Sequence, residues 1–440
     1  MTKTYHFYNL KPTKGNKTNI MKNFKIGISL LAMLITFSSC LKDQCDETRT
    51  FIQYDPIFLN YNDIRVDVFT DTPRELQNPG KLYVYEQYLF INELEEGVHI
   101  YDNTDPSNPI NIGYIAIPGN VDIAIKDGHM YADNYMDLIT VNIENPEDAH
   151  LVCRDEDVYN QYWFQEGRGV LVGYQENERT LELDCTDPNF NNGRFFVDDV
   201  LFAENDASAF GGGRSSTGTG GSLARFTIAR DHLYVINDFN LFIFDVTKAE
   251  KPNKVQEFYV EWGIETLFPH GENLFIGARN GMHIYNISEP SRPYYLSAFR
   301  HATACDPVFV DEDIAYVTLR DGRDCESFTN QLDVVDVSDL KSPSLLKTFE
   351  MDNPHGLSVR NERLYLCEGE SGLKIFDESV PTEVGDQLTN HLKEVHAVDV
   401  IALNDDLLLV IGLDGLYQYD ISDKDNPVEL SVIRPVKIVE

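Results

Sequence analysis

Gly97-Val-His-Ile-Tyr-Asp102 and Gly372-Leu-Lys-Ile-Phe-Asp377 are two copies of one short strand that ends in an acidic or amide residue, and the chain of 440 residues carries eight. The others are Asp137-Leu-Ile-Thr-Val-Asn142, Arg179-Thr-Leu-Glu-Leu-Asp184, Asn240-Leu-Phe-Ile-Phe-Asp245, Gly281-Met-His-Ile-Tyr-Asn286, Gln331-Leu-Asp-Val-Val-Asp336 and Gly415-Leu-Tyr-Gln-Tyr-Asp420. Their last residues are spaced by 40, 42, 61, 41, 50, 41 and 43, a period near 41 with two insertions. Strand-like repeats of about 40 to 45 residues stack as blades around an axis. The expectation is all-β: an eight-bladed β-propeller of four-stranded antiparallel blades. Repeat three is the least regular, and a seven-bladed ring with that stretch as an insertion is the alternative count.

One repeat shows the plan. Between Ile264 and Ala302, Thr266-Leu-Phe268 and Asn273-Leu-Phe-Ile-Gly277 read as strands A and B, Met282 to Asn286 as strand C and Tyr294 to Phe299 as strand D. Aromatic and β-branched residues between turn-formers favour strands over helices. The turn after strand C recurs as Asn103-Thr-Asp-Pro-Ser-Asn-Pro109, Ser338-Asp-Leu-Lys-Ser-Pro343 and Ser422-Asp-Lys-Asp-Asn-Pro427. Asp and Asn cap their own backbone in such turns, and Pro stops the ladder.

Strand C followed by a Ser-Asp-Pro-like turn resembles the LVIVD-repeat family, propeller proteins common as bacterial lipoproteins, and the likeness runs over nearly all of residues 80 to 437. Asp245 and Asp336 stand at the family's Asp, while Asn142 and Asn286 depart from it conservatively. The resemblance implies a propeller and supplies no catalytic residue.

The N-terminus adds a compartment. Lys22 and Lys25, the apolar run Ile26 to Phe37 and Ser38-Ser39-Cys40 have the order of a secretory signal, too short to span a bilayer. A cysteine directly after the small residues resembles a Bacteroidetes-type lipoprotein signal, which implies lipidation of Cys40. The reading is thus a leader and signal peptide over 1–39 (1–20 a misassigned start or an untidy leader), a lipidated linker and arm over 40–79, and the propeller over 80–440. The expected location is the bacterial cell envelope, on the outer membrane and facing either the periplasm or the outside of the cell, held through the lipid alone. Beyond residue 39 the chain carries 30 basic against 72 acidic residues, so nucleic acid is a poor partner: phosphate binding needs a basic footprint.

Both insertions fall on connections that leave a four-stranded blade on one face. The longer holds Gly211-Gly-Gly-Arg-Ser-Ser-Thr-Gly-Thr-Gly-Gly-Ser222, which lacks a phosphate-loop ending, and the shorter runs around Asp321 to Thr329. That rim is the expected working face, with Arg214, Arg323, Asp324, Glu368, Asp238 and Asp414 as binding candidates. Glu93, Asp133, Glu176, Asp238, Asp324, Glu368 and Asp414 form an expected acidic crown suited to calcium or a basic surface. His301, His355 and His396 lie near the same mouth, where neutral imidazoles can hold a transition metal. No cofactor is called for by any motif. In an exported chain the repeat frame pairs Cys305 with Cys325, Cys153 with Cys185 and Cys45 with Cys367, or leaves any of them a buried thiol. The functional expectation is a lipid-anchored binding or scaffolding module for an envelope protein or glycan; the alternative is a cation-assisted hydrolase or lyase at the channel mouth.

Overall fold

The computed structural model describes residues 46–159, 161–184, 219–222, 224–301, 307–320 and 329–436, with side chains at all of these except 46–49, 181–184 and 219–220. The chain divides into two compact units. The larger, 56–174 with 201–440, contains every blade. The smaller contains the far ends of two long strands, where Asn177 donates to Asp55 at 2.9 Å and Thr50 meets Thr180 at 3.3 Å.

Seven sheets carry the same antiparallel A-B-C-D meander, over 79–116, 123–155, 226–259, 264–300, 308–350, 357–392 and 397–433, numbered here as blades 1 to 7. The eighth sheet has only three strands, Asp46–Leu59, Gly169–Asp184 and Trp163–Gln165. The described residues therefore form seven four-stranded blades, and the expected eighth, repeat three, forms a three-stranded sheet with Asp46–Leu59 in place of a four-stranded blade. The reason lies in its strand: Gln175-Glu-Asn-Glu-Arg-Thr180 is polar on both faces. A blade must bury both faces against its neighbours, as strand Gly97–Asp102 does with five of six residues buried.

The A strands line the axis, and each packs beside the next: Pro79–Tyr85, Ile123–Lys126, Phe226–Ala229, Ile264–His270, Val308–Asp311, Leu357–Arg360 and Ala397–Ala402. In every blade the register slips by one residue between strands C and D, for example between Ile284 and Tyr285. Such bulges sharpen the twist that lets wedge-shaped sheets pack around an axis.

The residue ending strand C has a mechanical role. Asp102 accepts from Thr104 N (2.9 Å) and Oγ1 (2.6 Å), Asp245 from Thr247 N (2.9 Å) and Oγ1 (2.7 Å), and Asp336 from Ser338 N (2.9 Å) and Oγ (2.6 Å). Asn286 makes the same pair of bonds with Ser288, which explains why an amide can replace the acid. These bonds hold the Asp245 and Asp336 carboxyls below the usual range.

The turn so shaped becomes the socket for the preceding blade. Tyr131 of blade 2 donates to Ala249 O in the blade 3 turn at 2.9 Å, and Tyr234 of blade 3 to Pro290 O in the blade 4 turn at 2.9 Å. Tyr316 of blade 5 reaches Glu378 in the blade 6 turn. Ring closure also uses a lower turn, and among the described residues no strand is shared across the seam. Gln418 and Asn103 exchange amide bonds of 2.9 and 2.7 Å, and Ser431 donates to Pro106 O at 2.6 Å. Above them Leu82, Leu89 and Ile91 pack against Ile401, Leu409 and Leu416. Gln418→Ala leaves the Asn103 amide buried and unpaired and should cost about 1–3 kcal/mol, read as a lowered melting temperature.

Candidate functional site

The B-to-C and D-to-A connections of every blade emerge on one face, here the upper face, and the A-to-B and C-to-D turns on the lower. The insertion after repeat three is not a rim loop throughout. Its last described residues enter the ring, where Thr219 and Gly220 pair with Val84 and Tyr83 on the innermost strand of blade 1. Ser222, buried, accepts from Leu357 N of blade 6 at 2.8 Å and sits 3.4 Å from Asp399 Oδ1 of blade 7 through both its N and Oγ. Ala224 O accepts from Leu267 N of blade 4 at 2.7 Å. Arg225 N and Phe226 N donate to Asp122 Oδ2, which adjoins blade 2, at 2.7 and 3.0 Å, before the chain becomes blade 3. The protein's own backbone thus crosses the axis over 219–222 and 224–226. Glycine is needed here because a Cβ on Gly221 would lie 2.2 Å from Asp399 Oδ2.

Around this plug the interior is charged. Lys81 Nζ meets Asp122 Oδ2 at 2.9 Å with both side chains at most 2% exposed. Burial pushes the Lys81 ammonium down and the Asp399 carboxyl up to about 7, with Asp122 adding to the latter and Lys81 opposing it. Sequence reading missed Lys81, Asp122 and Asp399. For Lys81 and Asp399 the signal is a charged residue inside an otherwise apolar A strand, as in Ala397-Val-Asp-Val-Ile401.

On the upper rim the three expected metal ligands are not brought together. Among the described residues no three His, Cys, Asp or Glu side chains converge as a ligand set. His301 belongs with Phe299, 6.2 Å between ring centres, and with His283. His355 lies under Arg320, whose Nη1 is 3.2 and 3.3 Å from its two ring nitrogens, within electrostatic reach of His396. Burial and then the Arg320 charge push His355 down to about 3, so the ring is neutral, yet the guanidinium stands where a cation would approach.

The acidic crown is likewise taken up internally. Glu368, expected on the binding face, is fully buried, accepts Asn353 N at 2.6 Å and pairs with Lys374 at 2.9 Å. Glu93 is buried and holds Gln77 N at 3.0 Å, Asn78 N and His99 at 2.8 Å. Asp414 accepts from Tyr417. Asp238 does face solvent, paired with Arg225 at 3.0 Å, and Glu176 is exposed in the smaller unit. Asp133 is clamped at one oxygen only: Asn120 Nδ2, Val121 N and Asp122 N donate to Oδ1 at 2.7, 2.9 and 3.1 Å. Arg214, Arg323 and Asp324 lie outside the described residues.

Cys153 and Cys367 carry free thiols. Cys367 ends strand B of blade 6 among Tyr365, Leu373 and Ile375, fully buried, and burial raises its pKa, which corrects the expected bridge to Cys45. Cys153, half-buried on the outer strand of blade 2, is free in place of the expected bridge to Cys185. Cys40, Cys45, Cys185, Cys305 and Cys325 lie outside the described residues.

The upper face instead presents the start of repeat three, described residues 161–174 of the larger unit. Its hairpin is seated on blade 2 by Ile64, Met136 and Val170, all buried, and by Arg65, which bonds Asp137 at 2.8 and 3.0 Å and Asp157 at 3.0 Å. Beyond that seat aromatic rings face water: Trp163 is 57% and Phe164 51% exposed. Trp163 packs edge-on to Phe58 at 6.3 Å, with Arg168 3.9 Å above the Phe58 ring. Phe164 stacks on Tyr61 at 5.8 Å, with Arg65 4.6 Å above Tyr61. The aromatic run Tyr159-Asn-Gln-Tyr-Trp-Phe164 was a legible signal that the strand-C pattern overshadowed.

Fold and rim together define a seven-bladed β-propeller with a plugged axis. The chain carries the LVIVD repeat, whose family model matches residues 304–350, the stretch that includes blade 5. The chain is similar in fold to BamB from Moraxella catarrhalis, with 7% identity over 84% of this chain and 97% of that one, at a TM-score of 0.47. It is similar also to Saccharomyces cerevisiae Sqt1 (9%, 85% and 100%, 0.46) and to a Lactobacillus plantarum protein (12%, 81% and 84%, 0.42). No curated protein matches it by sequence.

A carboxyl with a folded pKa above its unfolded value binds more protons when folded, so the stability it favours falls as pH rises between the two. For Asp399 that window runs from the ordinary carboxylate range to about 7. Asp399→Asn should flatten the decline in melting temperature between pH 5 and pH 8, measured by thermal denaturation at each pH.

Proposed function

We propose that this chain is a lipid-anchored binding module of the bacterial cell envelope that engages a glycan through its upper face. The observation that carries the reading is the hairpin of repeat three, which holds Trp163 and Phe164 in water on a rigid ring. Large exposed aromatics cost solubility unless they serve recognition, and flat rings offer the faces on which sugar C–H groups stack. The strongly acidic chain, net −36, favours a neutral or cationic ligand over an anionic one. The anchor rests on the order of basic, apolar and small residues before Cys40, which resembles a lipoprotein signal. No helix among the described residues is long and apolar enough to cross a membrane.

Trp163→Ala combined with Phe164→Ala should weaken binding to isolated envelope polysaccharide at least about tenfold with the melting temperature kept, since central aromatic anchors carry such losses. Binding that survives periodate oxidation of the sugars but not proteolysis would make the partner a protein. Cells expressing the chain should incorporate labelled palmitate, and Cys40→Ala should abolish that label.

A further inference from the structure

Behind the exposed aromatics lies a group of polar atoms that the fold leaves unused. Tyr159 is 95% buried as the complement of its 5% exposure, packed edge-on to Phe242 at 5.3 Å, and its hydroxyl has no hydrogen-bond partner among the described residues. A buried hydroxyl without a partner forfeits the hydrogen bonds it had in water, and a polar group brought to it would restore one. Its backbone N donates to Met136 O at 3.0 Å, three residues past Asp133, and the phenol, pushed well up first by burial, also feels Asp133, then Tyr162 and then Arg225. Tyr162 in turn senses Asp133, Arg225 and Tyr135, and its ring meets Tyr135 edge-on at 5.9 Å.

Asp133 has the complementary need. Its three donors all fall on Oδ1, so the carboxylate is fixed in direction while no hydrogen bond among the described residues reaches Oδ2. The side chain is half-buried, and desolvation raises its pKa to about 6, which leaves it a charged acceptor at neutral pH with one oxygen to satisfy. Adjacent residues make the group continuous with the hairpin, because Tyr162 immediately precedes Trp163.

The geometry points to a pocket on the upper face, formed by Asp133 Oδ2 with the phenols of Tyr159 and Tyr162, that takes the hydroxyl groups of a neutral sugar. A carboxylate oxygen receives hydroxyl donors, a phenol both gives and receives, and the neighbouring rings supply an apolar wall, which together suit a polyol ring better than a metal or an anion. Arg225 is held by Asp238 on the rim at 3.0 Å and so offers little to an anionic ligand. The pocket rests on the glycan reading of the upper face and names where on it the terminal residue sits.

The test is titration calorimetry of the full mature chain with neutral oligosaccharides of N-acetylglucosamine, galactose and mannose. Tyr159→Phe and Asp133→Asn should each weaken binding of whichever oligosaccharide binds by about tenfold, the equivalent of one good hydrogen bond. Tyr159→Phe should keep or raise the melting temperature, because the lost hydroxyl has no partner to forfeit. If Trp163→Ala abolishes binding while Tyr159→Phe and Asp133→Asn bind like the wild type, the pocket is refuted and the glycan reading stands. Absence of binding by any of the three sugar series overturns both.

Discussion

Blades 2, 3 and 5 are each fastened by a buried tyrosine to the lower turn of the next blade. The acid or amide that ends strand C bends the backbone through bonds to the residue two positions on, and the bent turn offers its carbonyls to a buried tyrosine of the preceding blade. One side chain thus fixes a local conformation and, through it, an inter-blade contact. Tyr131, Tyr234 and Tyr316 are fully buried large residues whose phenols would be stranded without those sockets. Placing seven such sheets in a ring brings upper connections from distant parts of the sequence onto a single rim, and every feature of the candidate site depends on that placement.

Much of this was legible in the sequence. The strand C copies at Asp102, Asn142, Asp245, Asn286, Asp336, Asp377 and Asp420 all end the third strand of a blade. The copy at Asp184 does not, because spacing reports the repeat while blade formation needs two apolar faces, and Gln175 to Thr180 lacks both. The metal set His301, His355 and His396 had the right connections but not the right neighbours, since Arg320 over His355 comes from a different blade. Linear spacing carries no information about such a cation. Glu368 shows the same limit: its place after strand B was read well, its direction was set by Lys374 and the Asn353 backbone.

The axial network was hidden for a different reason. Lys81, Asp122 and Asp399 read individually as surface charges, and only the plug from the other side of the ring makes them interior. Burial of an ion pair is weak support for stability by itself, but here the pair also fixes the backbone of Arg225 and Phe226 where blade 3 begins. The glycine-rich insertion therefore acts as a structural axle at its described end, which moves the search for a ligand from the channel to the rim and its aromatic hairpin.

Closure by Gln418, Asn103 and side-chain packing, with no strand borrowed across the seam among the described residues, has a biosynthetic consequence. During vectorial synthesis each sheet can complete its own ladder as it emerges, and none must wait for a distant terminus to supply a missing strand. The facing flanks of the first and seventh blades stay apolar and uncovered until the seventh blade has emerged, so the interval before it docks is when a growing chain most needs protection from its neighbours.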